Sequence, residues 1–237
     1  MKIEIWSDFT CPFCYIGIRK LELALEQFEN NESVQIEFKS YQLDPYADSE
    51  ANEKVYSVLM KKHNLPIHKV KEMTNQICSQ AEEIGLHFRF DDMKHINTLN
   101  AHRLVKFSQC SGKEKEVIKR LYKGYFEDNR NIGDRNILLS VAKDVNLDEE
   151  EVDALLCLNN YVKAVHADMQ MAEELGIDSV PFFIFDEQYG VSGVQPEHVF
   201  LKILGQVWDE SEDRDSPNDT KQNEKGEQSY CIGNDCE

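Results

Sequence analysis

The chain is short of positive charge: 26 lysines and arginines stand against 44 aspartates and glutamates in 237 residues, a net charge of −18. Holding a nucleic-acid backbone takes clustered Lys and Arg that release its counterions. That balance excludes DNA and RNA as partners and leaves no electrostatic anchor for anionic lipid. Long apolar runs are missing too, and none approaches a membrane span. The opening residues, Met1-Lys2-Ile3-Glu4-Ile5-Trp6, lack a charged leader followed by an apolar stretch and a small-residue cleavage site. A soluble protein with no membrane partner and a cytoplasmic location is expected. A reducing compartment disfavours structural disulfides, so the seven cysteines point to redox or metal chemistry.

What is present is enough to fold. Hydrophobic residues make up 41% and aromatics 10% of the chain, which excludes global disorder. The length suits one compact domain with an inserted subdomain or a tail. Residues 2–7 alternate in polarity as a strand. Ile16, Leu21, Leu23, Leu25 and Phe28 then recur on a helical period to about residue 29, and Val34, Ile36 and Phe38 alternate again after a turn at Glu32-Ser33. A helix between two such strands reads as a βαβ unit with a parallel pair. From about residue 48 to 175 the spacing is almost wholly helical, with breaks at Asn64-Leu65-Pro66, Gly85, Gly112 and Gly133-Asp134. Five to seven helices are expected there, the last running over 155–175 and closing at Gly176 as a left-handed cap. Strand signal returns at Phe182-Phe183-Ile184-Phe185, with Gly190-Val191-Ser192-Gly193 as the return of a hairpin. A final amphipathic helix starts at Pro196 and ends near Trp208. From Asp209 acidic residues outnumber basic ones about three to one, and that segment cannot bury enough apolar area to order itself. The expected division is 1–46 and 176–208 for the two halves of an α/β domain, 47–175 for a helical insertion, and 209–237 for a disordered acidic tail.

The chemistry centres on Cys11-Pro12-Phe13-Cys14, which follows a strand and opens a helix. Free N–H groups and the macrodipole at a helix start favour a thiolate, so the pKa of Cys11 should fall. The second sulfur lies one turn on, within disulfide reach. Cys11 is expected as an exposed attacker and Cys14 as the shielded thiol that resolves a mixed disulfide. Two structural cysteines, or half a zinc site, are the competing readings, but no second Cys/His pair lies near in sequence. Pro181 alone reads as an ordinary proline starting a strand, in either isomer.

Other residues have weaker claims. Cys231 and Cys236 end the tail as Cys-x4-Cys. Metal binding, an accessory disulfide, no role, or a tethered relay that reduces or reoxidises Cys11–Cys14 are all open. Cys78, Cys110 and Cys157 read as small buried hydrophobes in helices. His102 shares a helix face with Thr98 and Val105 and could reach the cysteines, though a satisfied or exposed histidine is the commoner case. Asp8 either tunes proton transfer at the thiols or caps the turn after the strand. Asn97 and Thr98 read as a helix N-cap, as does Asp148 before Glu149-Glu150-Glu151.

Trp6-Ser7-Asp8-Phe9-Thr10-Cys11-Pro12-Phe13-Cys14, Asn97-Thr98, Ala101-His102-Arg103, Val180-Pro181-Phe182-Phe183 and Ser192-Gly193-Val194-Gln195-Pro196 together resemble a DsbA-type thioredoxin-fold oxidoreductase over about residues 2–208. The likeness is greatest to the FrnE-like branch, related to the 2-hydroxychromene-2-carboxylate isomerases. The resemblance implies a thioredoxin-like α/β fold split by an all-helical insertion, and a cis Val180–Pro181 bond facing the cysteines. There the proline keeps a donor away from the sulfurs and leaves the Val180 backbone free to pair with an extended substrate. It implies a thiol–disulfide oxidoreductase acting on protein or low-molecular-weight disulfides and thiols, with no metal and no organic cofactor. In the related isomerases and kappa-class glutathione transferases a serine typically replaces the first cysteine. Both cysteines are present here, which favours exchange over glutathione-dependent isomerisation, with glutathione feasible as a co-substrate. That isomerase or transferase, and a binding module docking through the insertion, are the rival readings. Direction of exchange and oligomeric state are not set by the sequence.

Overall fold

The computed structural model describes residues 1–48 and 50–215. In chain order these form β1 (Lys2–Ser7), α1 (Pro12–Gln27), a 3₁₀ turn (Asn31–Ser33), β2 (Gln35–Ser40), α2 (Val55–His63), α3 (Ile67–Glu82), α4 (Leu99–Gln109), α5 (Glu114–Phe126), α6 (Arg135–Asp144), α7 (Glu149–Cys157), α8 (Val162–Glu174), β3 (Phe182–Phe185), β4 (Tyr189–Ser192) and α9 (Glu197–Asp215). This is a thioredoxin-like α/β fold with seven described helices between β2 and β3.

The sheet runs β2-β1-β3-β4. β1 pairs parallel with β2, from Lys2↔Gln35 to Ser7↔Ser40, and antiparallel with β3, where Trp6 faces Phe182. Strand alternation sorts the side chains. Ile3 and Ile5 join Phe183 and Phe185 on the face that α1 and α9 cover. Trp6 and Ile184 take the other face with Ala172 and Ile177. Among the described residues the insertion shares its core with the sheet. One buried cluster runs from Ile3 and Phe183 through Phe9 and Tyr122 to Leu138 and Val152.

Local chemistry explains several helix ends. Asp134 and Asp148 cap α6 and α7, each side chain accepting two backbone N–H groups of the first turn. Other ends differ from the sequence reading. The stretch expected as one helix from 155 breaks after Cys157 and restarts at Val162, with Tyr161 at φ 64°. Arg103 causes the break: its guanidinium reaches in from α4 and takes the carbonyls of Leu155, Leu158 and Asn160. α9 passes the expected stop at Trp208 and continues to Asp215. Its extension has a tertiary hold, since Tyr189 Oη donates to Glu210 (2.6 Å) and Trp208 packs edge-on against Phe28.

A buried ion pair fastens the insertion to the strands. Lys106 Nζ of α4 meets Asp168 Oδ2 of α8 at 2.6 Å and donates to Phe38 O of β2. Asp168 Oδ2 also accepts Ser40 N at 2.7 Å, and its carbonyl takes Trp6 Nε1. Four elements meet on one charge pair, and the further hydrogen bonds to Phe38 O and from Ser40 N help such a pair to be tolerated in a core.

Candidate active site

Residues 8–11 form the turn between β1 and α1, closed by Cys11 N donating to Asp8 O at 3.1 Å. Cys11 is itself the N-cap residue of α1, in extended conformation at φ −88°, ψ 111°, with Pro12 in the first turn. Cys11 makes no side-chain cap hydrogen bond, and its sulfur sits beside the free N–H groups of the helix start. The Cys14 thiol is the strongest influence lowering the pKa of Cys11. Burial opposes it, and the N–H groups of Cys14 and Phe13 support it. Cys14 moves the opposite way. Burial first, then the neighbouring Cys11 sulfur, push its thiol well above the ordinary value. The two sulfurs therefore form a polarised pair, one readily ionised and one held as a thiol.

The accessibility of Cys11 corrects the sequence reading. The residue is 5% exposed rather than open to solvent, and Cys14 is fully buried. The loop before β3 folds over the start of α1, and the Cys11 thiol donates to Val180 O at 3.6 Å. The Val180–Pro181 peptide bond is cis. Gly17, unnoticed in the sequence, permits this approach: a Cβ there would lie 3.1 Å from Pro181 Cγ and 3.2 Å from Phe183 Cζ. A glycine inside a helix costs about 1 kcal/mol against alanine, so its place one turn after Cys-x-x-Cys was a usable signal.

Asp8 and His102, both weak candidates from the sequence, come together beneath the cysteines. Asp8 is 1% and His102 3% exposed. Asp8 Oδ2 accepts Leu43 N (2.8 Å) and the Thr10 hydroxyl (3.0 Å). Its Oδ1 faces His102 Nε2 at 3.5 Å, too long for a good hydrogen bond, and both atoms are buried with no hydrogen-bond partner. Burial alone would raise the Asp8 carboxyl. The His102 imidazole, Leu43 N–H and Thr98 hydroxyl outweigh it and bring the pKa below the ordinary value. The Asp8 charge in turn acts to raise both thiols. Aromatic rings seal the cluster. Phe9 lies 4.9 Å from the His102 ring and from Tyr122, and Tyr122 Oη donates to Asp8 O. Sequence spacing could not find Thr98, Leu43 or Tyr122, because their contact with Asp8 is made only by tertiary folding.

The family description "DSBA-like thioredoxin domain" matches residues 2–205. The chain belongs to this family. It is 35% identical to a solved structure, the probable DsbA oxidoreductase SCO1869 of Streptomyces coelicolor, with a TM-score of 0.84 over 89% of this chain and 91% of that one. It is 26% identical over 206 residues to the uncharacterized protein YwbO of Bacillus subtilis, covering 86% of this chain and 96% of YwbO. A 2-hydroxychromene-2-carboxylate isomerase structure shares the fold at a TM-score of 0.67, with 12% identity over 91% of this chain and all of that one.

The remaining cysteines of this DsbA-like chain divide differently from the sequence reading. Cys110 and Cys157 are exposed and Cys78 is half-buried, so two of the three are not core residues. Both exposed ones sit where a helix ends: Cys110 caps α4 and Cys157 is the last residue of α7. Cys231 and Cys236 lie outside the described residues. Thr98 holds the N-cap position of α4 but makes no cap bond. Asn97 instead accepts Leu99 N and donates to Pro45 O and Ala47 O. Among the described residues no helix is long and apolar enough to cross a membrane. A cavity of about 800 Å³ opens between α1, β2 and α5 and is lined by Tyr15, Leu25, Ile36 and Lys119 but by neither cysteine of the pair.

Proposed function

We propose that this DsbA-like protein is a dithiol–disulfide oxidoreductase exchanging electrons through Cys11 and Cys14 with protein or small-molecule thiols. The observation that supports it most is the opposite displacement of the two thiol pKa values at the start of α1. Working as a reductant, the Cys11 thiolate attacks a substrate disulfide and one substrate thiolate leaves. Cys14 then loses its proton and attacks the Cys11 sulfur. The second substrate thiolate departs, and the dithiol has become a disulfide after giving up two electrons. Oxidation of a substrate dithiol is the same path reversed.

Val180 and Pro181 present the substrate. The Val180 carbonyl holds the Cys11 thiol in the resting protein. Once that sulfur enters a mixed disulfide, the carbonyl is free for an N–H of an extended substrate chain. The chemistry calls for no metal or organic cofactor, and glutathione takes part as a co-substrate thiol. A cytoplasmic setting belongs to the same proposal: exposed unpaired Cys110 and Cys157 suit a reducing compartment. A relay role for Cys231 and Cys236, which lie outside the described residues, is part of the same proposal.

The test is a pair of variants. Cys14→Ser should accumulate mixed disulfides at Cys11 when offered oxidised glutathione or the disulfides of native insulin, released by dithiothreitol and abolished by Cys11→Ser. Failure of Cys14→Ser to trap any thiol partner would contradict the reading. The isomerase alternative predicts instead that saturable glutathione binding survives Cys11→Ser.

A further inference from the structure

The cavity of about 800 Å³ between α1, β2 and α5 takes no part in the exchange chemistry, and its lining is sharply divided. Its floor is apolar: Ile5 of β1, Ile18 and Leu21 of α1, Phe38 of β2 and Ile118 of α5 line it, each no more than 6% exposed. The recess follows α1 from Tyr15 to Glu26, about 16 Å at the rise of a helix.

Its rim is charged, and the charge is not balanced. Arg19 of α1 is already held by Glu22 and Glu26, and Glu127 takes the Tyr15 hydroxyl. α5 adds Lys115, Lys119 and Lys123, all three exposed. Four-residue spacing sets them in one row about 12 Å long. Among the described residues none of the three is in an ion pair, whereas Lys113 just before them pairs with Glu116. That is unexpected in a chain with 44 acidic and 26 basic residues. A lysine row on open surface is an ordinary solvated face. This one borders an apolar recess, and the two together select a molecule with an apolar body and an anionic end.

We infer that this cavity binds a free aliphatic carboxylate of the fatty-acid kind, its chain along α1 over the apolar floor and its carboxylate at the lysines of α5. The volume falls within the range of small-molecule sites, about 300–1,000 Å³. Burial of the chain against the floor supplies the hydrophobic drive, and the lysines act as point charges on the head group. A phosphate head is served worse, because the planar fork that matches it, on Arg19, is taken by two glutamates. The net charge of −18 opposes an anionic membrane surface and favours a molecule small enough to enter the recess. Neither Cys11 nor Cys14 lines the cavity, so the inference does not depend on the oxidoreductase reading.

The experiment titrates the full-length protein with decanoate by calorimetry at neutral pH, beside decan-1-ol and butanoate. Decanoate should bind saturably at one site with Kd below about 100 μM. The alcohol should bind about tenfold more weakly, and butanoate not measurably. Lys115→Gln, Lys119→Gln and Lys123→Gln combined should weaken decanoate about tenfold, leave decan-1-ol unchanged and remove the salt dependence. Ile84→Trp, which fills the recess, should abolish both; the exposed lysine variant keeps the test open if that one fails to fold. Cys11→Ser should bind decanoate as the parent does, so loss of disulfide trapping and loss of this binding are separate results. Absence of saturable decanoate binding up to about 1 mM, equal affinity for the alcohol, or an unchanged affinity in the lysine variant would each overturn the inference. So would co-sedimentation with phosphatidylglycerol vesicles in place of binding, which would assign the lysines to a membrane. A dimer that Ile84→Trp dissociates would assign the recess to a second copy of the chain and overturn it equally.

Discussion

The sheet with α1 and α9, and the helical insertion, satisfy their polar groups in different ways. In the sheet region Lys2, Glu4, Glu37 and Lys39 pair with one another across neighbouring β1 and β2, the side chains 10–39% exposed. The insertion instead drives charge inward. His102, Arg103 and Lys106 on α4 are all less than 10% exposed, and each reaches outside its own helix, to Asp8, to the end of α7 and to Asp168. The sheet region thus presents the cysteines at a helix start, where local backbone polarity acts on Cys11. The insertion contributes buried ionisable groups, of which His102 faces Asp8 just before the cysteine pair.

Three substitutions sharpen that contrast. The largest effect belongs to the inward charge. Lys106→Met strands Asp168 in the core and should cost about 3–5 kcal/mol of unfolding free energy in urea, the usual penalty for removing one partner of a buried pair. Adding Asp168→Leu should recover much of that loss. A loss below 1 kcal/mol for Lys106→Met would mean that the insertion is not fastened through this pair. Next comes the approach of α1 to the loop before β3. Gly17→Ala places a methyl against Pro181 and Phe183 and should cost about 1–3 kcal/mol by overpacking. It should also slow disulfide exchange by shifting Val180 relative to Cys11. Unchanged stability and rate would show that the loop can move aside. The smallest effect is at the surface: Cys157→Ser should leave unfolding free energy within about 0.5 kcal/mol. In the parent protein Cys157 should be alkylated by iodoacetamide ahead of the buried Cys14, and the reverse order would contradict its exposure.

How far the sequence foretold this structure divides along the same line. Period-two alternation at Ile3 and Ile5, the short apolar run Phe182–Phe185 and Cys-x-x-Cys before a helical period revealed the frame and the candidate pair. Those signals are local, and the structure realises them locally. The break at Tyr161 escaped notice because its cause, Arg103, is nearly sixty residues away in the chain. α9 outran its apolar pattern because Tyr189 holds Glu210 from another element. The environment of Asp8 was illegible for the same reason: its partners Leu43, Thr98, His102 and Tyr122 come from three later segments. Cys110 and Cys157 misled because helical periodicity locates an apolar face poorly at helix ends, where both lie.

The central claim is that Cys11 and Cys14 behave as one redox couple, and a redox titration tests it most directly. Purified protein is equilibrated in graded reduced and oxidised glutathione, quenched with acid, alkylated and weighed by mass spectrometry, with peptide mapping of both cysteines. The account predicts that Cys11 and Cys14 lose alkylation together in a single two-electron transition, whose midpoint then assigns the direction of exchange. If the two are alkylated independently, or Cys11 stops at a glutathione adduct while Cys14 remains reduced throughout, the oxidoreductase account is contradicted.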